Sequence, residues 1–387
     1  MSGEVLAACN PSLQVEQMSG PPREWAQLTL GDILTLEYGR SLPDKSRRPG
    51  AVPVYGSNGV VGWHDEALVP KGGIIIGRKG TAGSVTVSSD AFWPIDTTYF
   101  VKPRQTVDWD WLAATLHHAR LNELNEATGV PGLNRDKAYL QPILLPSLDE
   151  QRRIAEVLRS VDEAIAANRD TLDQVARARA AILHAAFEET PWEVVQLGEL
   201  GSWQSGGTPS KDDEAKWGGD VPWVCPRDMK TPVIRQTHST LTPLALGGSC
   251  KLVPRGTLMI VVRGMILAKA IPTATIAMDA TFNQDMKAFR PNGRALPKFV
   301  QLCLQHQEQQ LLRVVNTATH GTKKLDTDTL LSVSVPLPDL ETQQGIADAV
   351  SDLDFALVMY GEEHIRLSTV KQAIMSDLLS GRVRVPA

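Results

Sequence analysis

Two sets of residues in this chain could grip a polyanion, and they recur in the same order. In the first half, Arg40, Lys45, Arg47 and Arg48 precede Tyr55-Gly56-Ser57-Asn58-Gly59, and Arg78-Lys79-Gly80-Thr81 follows. In the second half come Ser205-Gly206-Gly207-Thr208-Pro209-Ser210-Lys211, Arg227-Asp228-Met229-Lys230, Arg263-Gly264, Asn283-Gln284-Asp285 and His320-Gly321-Thr322-Lys323-Lys324. Arg and Lys donate to phosphates and guanine edges, Asn and Gln match adenine, and glycine lets backbone amides approach a phosphate. The candidate DNA-contacting residues are therefore Arg40, Lys45, Arg47, Ser57, Asn58, Arg78 and Lys79 in the first half. In the second they are Thr208, Ser210, Lys211, Arg227, Lys230, Arg263, Asn283, Gln284, His320, Lys323 and Lys324. One such loop alone is an ordinary solvated turn; the repetition points to recognition.

Catalytic constellations are missing. The chain has no GxxxxGK[ST] phosphate loop, no GxSxG, no HExxH and no Asn-Pro-Pro-aromatic run of an adenine methyltransferase. Gly77-x2-Gly80-x2-Gly83 reads as a hairpin after a strand. Glu214-Ala-Lys216 is half of a nuclease carboxylate–lysine motif without its partner, and Cys303-x2-His306 reads as core plus surface. The expectation is a protein without catalytic or metal-binding residues. A self-contained nuclease and a coiled-coil scaffold remain as alternatives.

The positioning elements are duplicated. Trp25-x4-Leu30-Gly31-Asp32-Ile33 matches Trp192-x4-Leu197-Gly198-Glu199-Leu200, and Val52-Pro53 matches Val221-Pro222. Pro70-x-Gly72 and Lys79-Gly80 match Pro254-x-Gly256 and Arg263-Gly264, and Trp93-x2-Asp96 matches Phe282-x2-Asp285. Pro146-x-Leu148-x2-Gln151-x2-Ile154-Ala155 matches Pro338-x-Leu340-x2-Gln343-x2-Ile346-Ala347. The offset only grows along the chain, as two copies with added loop residues in the second require. Each copy ends in an amphipathic helix with alternating four- and three-residue spacing. The pairing seam consists of Ile154, Leu158, Val161, Ile165, Leu172 and Val175 against Ile346, Val350, Leu353, Leu357, Leu367 and Ile374. Asn168, Arg179 and Lys371 are polar intrusions. About 40 residues at 1.5 Å each make a rod of roughly 60 Å.

Short apolar runs bounded by Gly and Pro, such as Gly73–Gly77 and Thr257–Val262, alternate with helices in an α+β pattern. The expected layout is an N-terminal tail (1–24), a first domain (25–147), a first long helix (148–189), a second domain (190–339), a second long helix (340–381) and a short C-terminal tail (382–387). The two helices are expected to form an antiparallel coiled coil with pseudo-two-fold symmetry. The net charge of −5 argues against a nucleic-acid binder only until it is divided. Basic and acidic side chains number 12 and 12 in 25–147 and 16 and 13 in 190–339, against 6 and 9 in 148–189 and 4 and 7 in 340–387. The acidity lies in the helices. Four scattered cysteines without a CxxC fit a reducing cytosol, and no apolar run reaches the roughly 20 residues of a membrane span.

VPVYGSNGVVGWHDEA (52–67), GGIIIGRKGTAGSV (72–85), FWPIDTT (92–98), SGGTPSKDDEAKWGGDVPWVCPRDM (205–229) and ATFNQDM (280–286) resemble the specificity subunit of type I restriction–modification systems. So do LLPSLDEQRRIAEVLRSVD (144–162) and VPLPDLETQQGIADAVSDLD (335–354), where Thr342 replaces Glu150 and Gly345 weakens the helix start. The resemblance implies two target-recognition domains, each built of a small twisted sheet plus helices and each reading half of a split DNA site. It implies helices that set the spacing and dock two methyltransferase subunits, with restriction–translocase subunits joining for cleavage. It also implies a prokaryotic cytoplasmic protein that acts on double-stranded DNA. S-adenosylmethionine, ATP and Mg would be held by the partners and no cofactor by this chain.

Overall fold

The structure is a computed structural model that describes residues 16–17, 22–124, 132–317 and 321–385. The chain divides into two compact units, one reaching to Asp170 and resuming at Tyr360, the other running from Thr171 to Met359. Each contains one mixed α/β domain and a part of both long helices.

In the first unit an antiparallel sheet has the order Leu34–Tyr38, Thr98–Pro103, Gly73–Gly77, Val85–Ser88. The run Gly73–Gly77 is buried throughout, which is why an unbroken β-branched stretch forms its centre. A second sheet pairs Val52–Gly56 with Gly59–His64 in a hairpin and, in parallel, with Trp93–Pro94. Helix α1 (Trp109–His118) buries Trp111, Leu112 and Leu116 in the core. The short helix α2 (Arg135–Tyr139) is capped by Asn134, whose side chain accepts from the amides of Asp136 and Lys137. Pro142–Leu145 then pairs with Ala26–Thr29. Helix α3 (Leu148–His184) follows.

The second unit repeats this plan. Gly201–Ser205, Met286–Pro291, Leu258–Val261 and Thr273–Ile276 are neighbours in that order, and Val233–Ile234 adds a parallel edge strand. Trp217–Val224 pairs with Ser239–Leu241 and, in parallel, with Thr281–Phe282. Helices α4 (Pro297–His306) and α5 (Thr327–Leu331) stand where α1 and α2 stand, before Ser334–Leu337 and helix α6 (Leu340–Leu379).

The backbone pairings correct one sequence match. Trp93 and Pro94 hold the places of Thr281 and Phe282, because they pair with Val54–Tyr55 and Trp223–Val224 respectively. Asp285 therefore corresponds to Thr97 rather than Asp96. The aromatic pair Trp93 and Phe282 suggested a register one residue off.

The repeated Leu-Gly-Asp/Glu motif has a local cause. Asp32 accepts from the Thr29 amide at 2.8 Å, and Glu199 accepts from the Gln196 amide at 2.9 Å, each closing the start of a one-turn helix. Leu30, Ile33, Leu197 and Leu200 are buried. A Cβ on Gly31 would lie 3.0 Å from the Tyr139 Cβ, and one on Gly198 would lie 3.3 Å from the Leu331 Cβ. The glycine lets α2 and α5 pack onto that turn.

The long helices run antiparallel within each unit. In the first, Ile154, Leu158 and Val161 near the start of α3 share a core with Ile374 and Leu378 near the end of α6, and Ile165 packs against it. In the second, Leu183 near the end of α3 packs with Ala347 and Val350 near the start of α6, and Ile346 packs alongside. Leu172, Val175, Leu353, Leu357 and Leu367 are half-buried. Two of the polar intrusions have partners across the seam: Lys371 pairs with Asp162 at 2.5 Å and Arg179 with Asp354 at 2.5 Å. Asp162 and Asp354 are 192 residues apart, as are Arg179 and Lys371, so one ion pair is made twice.

One buried glutamine per copy fixes the helix to its domain. Gln151 accepts from the Asp108 amide at 2.9 Å and donates to the Pro146 carbonyl at 3.0 Å. Gln343 accepts from the Leu296 amide at 2.9 Å and donates to the carbonyls of Arg294 and Pro338. Asp108 and Leu296 are the residues that open α1 and α4. The first unit has a further tie. Buried Glu150 accepts from the Trp25 indole at 2.9 Å and from Arg384 at 2.5 and 2.9 Å, while Arg384 also reaches Glu24 at 2.6 Å. Val383–Arg384 pairs with Glu16–Gln17.

Candidate nucleic-acid interface

In the first domain Arg40, Lys45, Asn58 and Lys79 are exposed. Asn58 lies in the hairpin turn between Gly56 and Gly59, and Val60, Val61 and Trp63 are exposed on the returning strand. Two candidates are engaged by the scaffold. The buried Ser57 hydroxyl lies 2.5 Å from the Lys79 carbonyl and 2.6 Å from the Thr97 carbonyl, tying two loops together. Arg47 donates to the carbonyls of Leu42 and Val61 and pairs with Asp44, bracing the hairpin from the side. Sequence reports that a residue is polar; it does not report whether the backbone has already claimed its hydrogen bonds.

In the second domain Lys211, Ser210, Arg227, Lys230 and Arg263 are exposed, and Thr208 bonds to the exposed Gln284. The fold brings Arg263 beside Lys324 through a backbone bridge, and Gly264 donates to the Lys323 carbonyl. Lys324 is paired with Asp326 at 2.5 Å, and Lys323 donates to the Thr317 hydroxyl at 2.9 Å. Asn283 is likewise engaged within the fold: it is buried, and its side chain accepts from the Asp285 amide to hold the turn. His320 lies outside the described residues. Glu214 and Lys216 sit on a short turn where Lys216 pairs with Asp213, and among the described residues no acidic, histidine or cysteine cluster is placed to hold a metal ion.

The most unequal equivalent spots were not anticipated. At the end of the strand Leu34–Tyr38, the exposed Tyr38 ring sits opposite Tyr99, with centroids 5.1 Å apart. The guanidiniums of Arg78 and Arg135 each lie 5.1 Å from the Tyr38 centroid. Arg78 also donates to the Asp96 carbonyl at 2.6 Å. Burial pushes the Tyr99 phenol above its ordinary range, and neighbouring Tyr38 adds to this. In the second domain the corresponding cross-strand pair is Ser205 and Lys287. Lys287 is 9% exposed and donates to the Ser205 hydroxyl at 3.2 Å; burial lowers its ammonium below the usual lysine range. The signal that could have found this corner is the duplication itself: Tyr38 and Ser205 are both eight residues beyond the aligned Leu30 and Leu197.

A family model described as the type I restriction modification DNA specificity domain matches this chain twice, at residues 22–177 and 189–359. A type I restriction enzyme specificity subunit of Escherichia coli is 35% identical over 171 residues, 44% of this chain and 42% of the relative. The match thus spans under half of that relative's length. Another such subunit, from Methanocaldococcus jannaschii, is 22% identical over 349 residues, 81% of this chain and 77% of its own. The fold is shared with the crystal structure of a type I S subunit from M. genitalium, with a TM-score of 0.63 at 16% identity, covering 94% of this chain and 99% of that one. A chain from a study of complex assembly in the type I R-M system gives 0.55 at 16% identity, over 95% and 99%.

Proposed function

Because the chain belongs to the type I restriction modification DNA specificity family, we propose that it chooses the site on double-stranded DNA at which a type I complex methylates adenine and directs restriction. It acts as a non-catalytic subunit. Each domain reads one half of a bipartite, asymmetric site, and the paired helices set the distance between the halves. Two methyltransferase subunits dock on the helices, and restriction–translocase subunits join them. S-adenosylmethionine, ATP and Mg belong to those partners.

The observation that carries this reading is a duplicated frame with unequal corners. The strand order, the capped turn and the buried glutamine recur, whereas Tyr38 and Tyr99 give way to Ser205 and Lys287. Two equal frames with unequal surfaces suit two different half-sites. Docking on the helices is supported by Phe355, Val358 and Met359, which leave a row of exposed apolar side chains on α6.

The test is co-expression with a type I methyltransferase, followed by mapping of methylated adenines in the host genome. The expected result is one split motif with a fixed spacer. Inserting one heptad into both helices should lengthen the spacer and leave both half-sites unchanged. Methylation of a continuous motif, or a change in half-site identity on insertion, would overturn the reading. Methyl transfer by the purified chain alone would refute the non-catalytic role.

A further inference from the structure

The corner where the first strand of each main sheet meets its neighbour carries positive charge that no carboxylate answers. In the first domain Arg78 and Arg135 converge on the same exposed ring, and among the described residues neither forms an ion pair. Two guanidiniums, each 5.1 Å from one ring centroid, are at most about 10 Å apart and repel each other. The Tyr38 ring offsets part of that cost, since its π face attracts each cation. Some other arginines of the first unit are paired, Arg48 with Asp65 and Glu66, Arg120 with Glu123 and Arg159 with Asp110. The equivalent corner of the second domain repeats the imbalance with different groups. Lys287 is buried and donates to the Ser205 hydroxyl, and among the described residues no carboxylate pairs with it. A buried ammonium without a counter-ion is costly, so Lys287 suits an anion supplied from outside, as the two guanidiniums gathered at the first corner do.

We propose that these corners are backbone anchors, at which Arg78 and Arg135 together take a DNA phosphate of the first half-site and Lys287 takes one of the second. The proposal rests on the chain being a DNA-specificity subunit. It adds Tyr38, Arg135, Ser205 and Lys287 to the binding surface. Tyr38 is a positioning residue whose ring orients both guanidiniums. The planar forks of the arginines suit a phosphate's oxygens, whereas Lys287 acts as a point charge. The surrounding exposed loops are then free to read bases.

The experiment uses the full chain assembled with its methyltransferase and a fluorescein-labelled duplex carrying the methylated site mapped for the wild type. Binding is measured from 50 to 300 mM salt, against that duplex and duplexes altered at single positions of each half-site. Arg135→Gln should weaken binding about five- to tenfold on every duplex and flatten the dependence of log affinity on log salt by about one. Arg135→Lys should recover part of the affinity and the salt slope. Tyr38→Leu should weaken binding while leaving the slope unchanged, because both charges remain. Lys287→Met keeps the packed stem and should flatten the slope by a similar amount, and a thermal unfolding curve confirms that it folds. Unchanged affinity and slope in both Arg135→Gln and Lys287→Met would overturn the proposal. So would a loss confined to one base pair with an unaltered slope, since that is base reading. Failure of the wild-type complex to methylate any split site would instead strike the function proposed above, and is read first.

Discussion

At its boundary with the long helix the first domain adds a charged cluster to the glutamine's neutral hydrogen bonds, which both domains share. At the boundary of the first copy Glu150 is buried under Trp25 and Arg384. At the same place in the second copy stands Thr342, whose amide and hydroxyl serve Asp339 on its own turn. Trp192, the counterpart of Trp25, donates to the Ala186 carbonyl instead. The difference teaches what the duplicated frame demands. It demands the glutamine one residue later, present in both copies, and tolerates either chemistry beside it. The second copy continues directly from α3, so Trp192 finds its acceptor in the preceding helix. Trp25 has no such helix before it among the described residues and takes its acceptor from α3.

The largest test of this contrast is Glu150→Ala against Thr342→Ala. Removing Glu150 strands the Trp25 indole and leaves Arg384 with only Glu24. The cost should be about 3 kcal/mol, at the lower edge for a broken buried pair because Arg384 keeps some solvent. Thr342→Ala should cost less than about 0.5 kcal/mol. Urea unfolding midpoints measure both, and equal losses would erase the distinction.

The glutamines come next. Gln343→Ala orphans the Leu296 amide and two carbonyls and should cost about 3 kcal/mol. Gln151→Ala orphans one amide and one carbonyl and should cost about 2 kcal/mol. The reverse order in urea would mean that the hydrogen bonds are not what the glutamine supplies. Smaller still are the twin ion pairs. Arg179→Ala should cost up to about 1 kcal/mol and Lys371→Ala about half of that, since Asp162 is more exposed than Asp354. A double-mutant cycle on each pair gives the coupling directly.

The smallest expected effect is acid sensitivity. The Thr342 amide and hydroxyl hold the Asp339 carboxyl below the ordinary aspartate range. That contribution is present above the unfolded value and is lost as pH falls through the depressed one. The first copy has Ser147 at this position, with no carboxyl to protonate. The midpoint gap between wild type and Asp339→Asn should therefore narrow from pH 5 to pH 2.5. A gap that widens contradicts the sign.

What could be read from the chain and what could not divide along physical lines. Duplication, apolar strands and seam residues such as Ile154 and Val350 were legible, because spacing and burial follow from periodicity. The internal hydrogen bonds of Ser57, Arg47 and Asn283 were not legible, because residue type does not reveal which backbone groups a side chain bonds. Tyr38 with Arg135, and Ser205 with Lys287, were missed because strand pairing joins residues that are far apart in sequence. Arg179 and Lys371 were legible as polar seam positions, but their partners Asp354 and Asp162 were not, because periodicity does not say which residue of the other helix lies opposite.

The clasp between Arg384 and Glu150 also orders events during synthesis. The two residues are 234 positions apart. At roughly 5–20 residues per second, about 12–47 s pass between translation of one and the other. The first-made domain thus waits until Arg384 has been translated before its boundary carboxylate meets its cation, whereas Thr171–Met359 of the second unit are translated earlier.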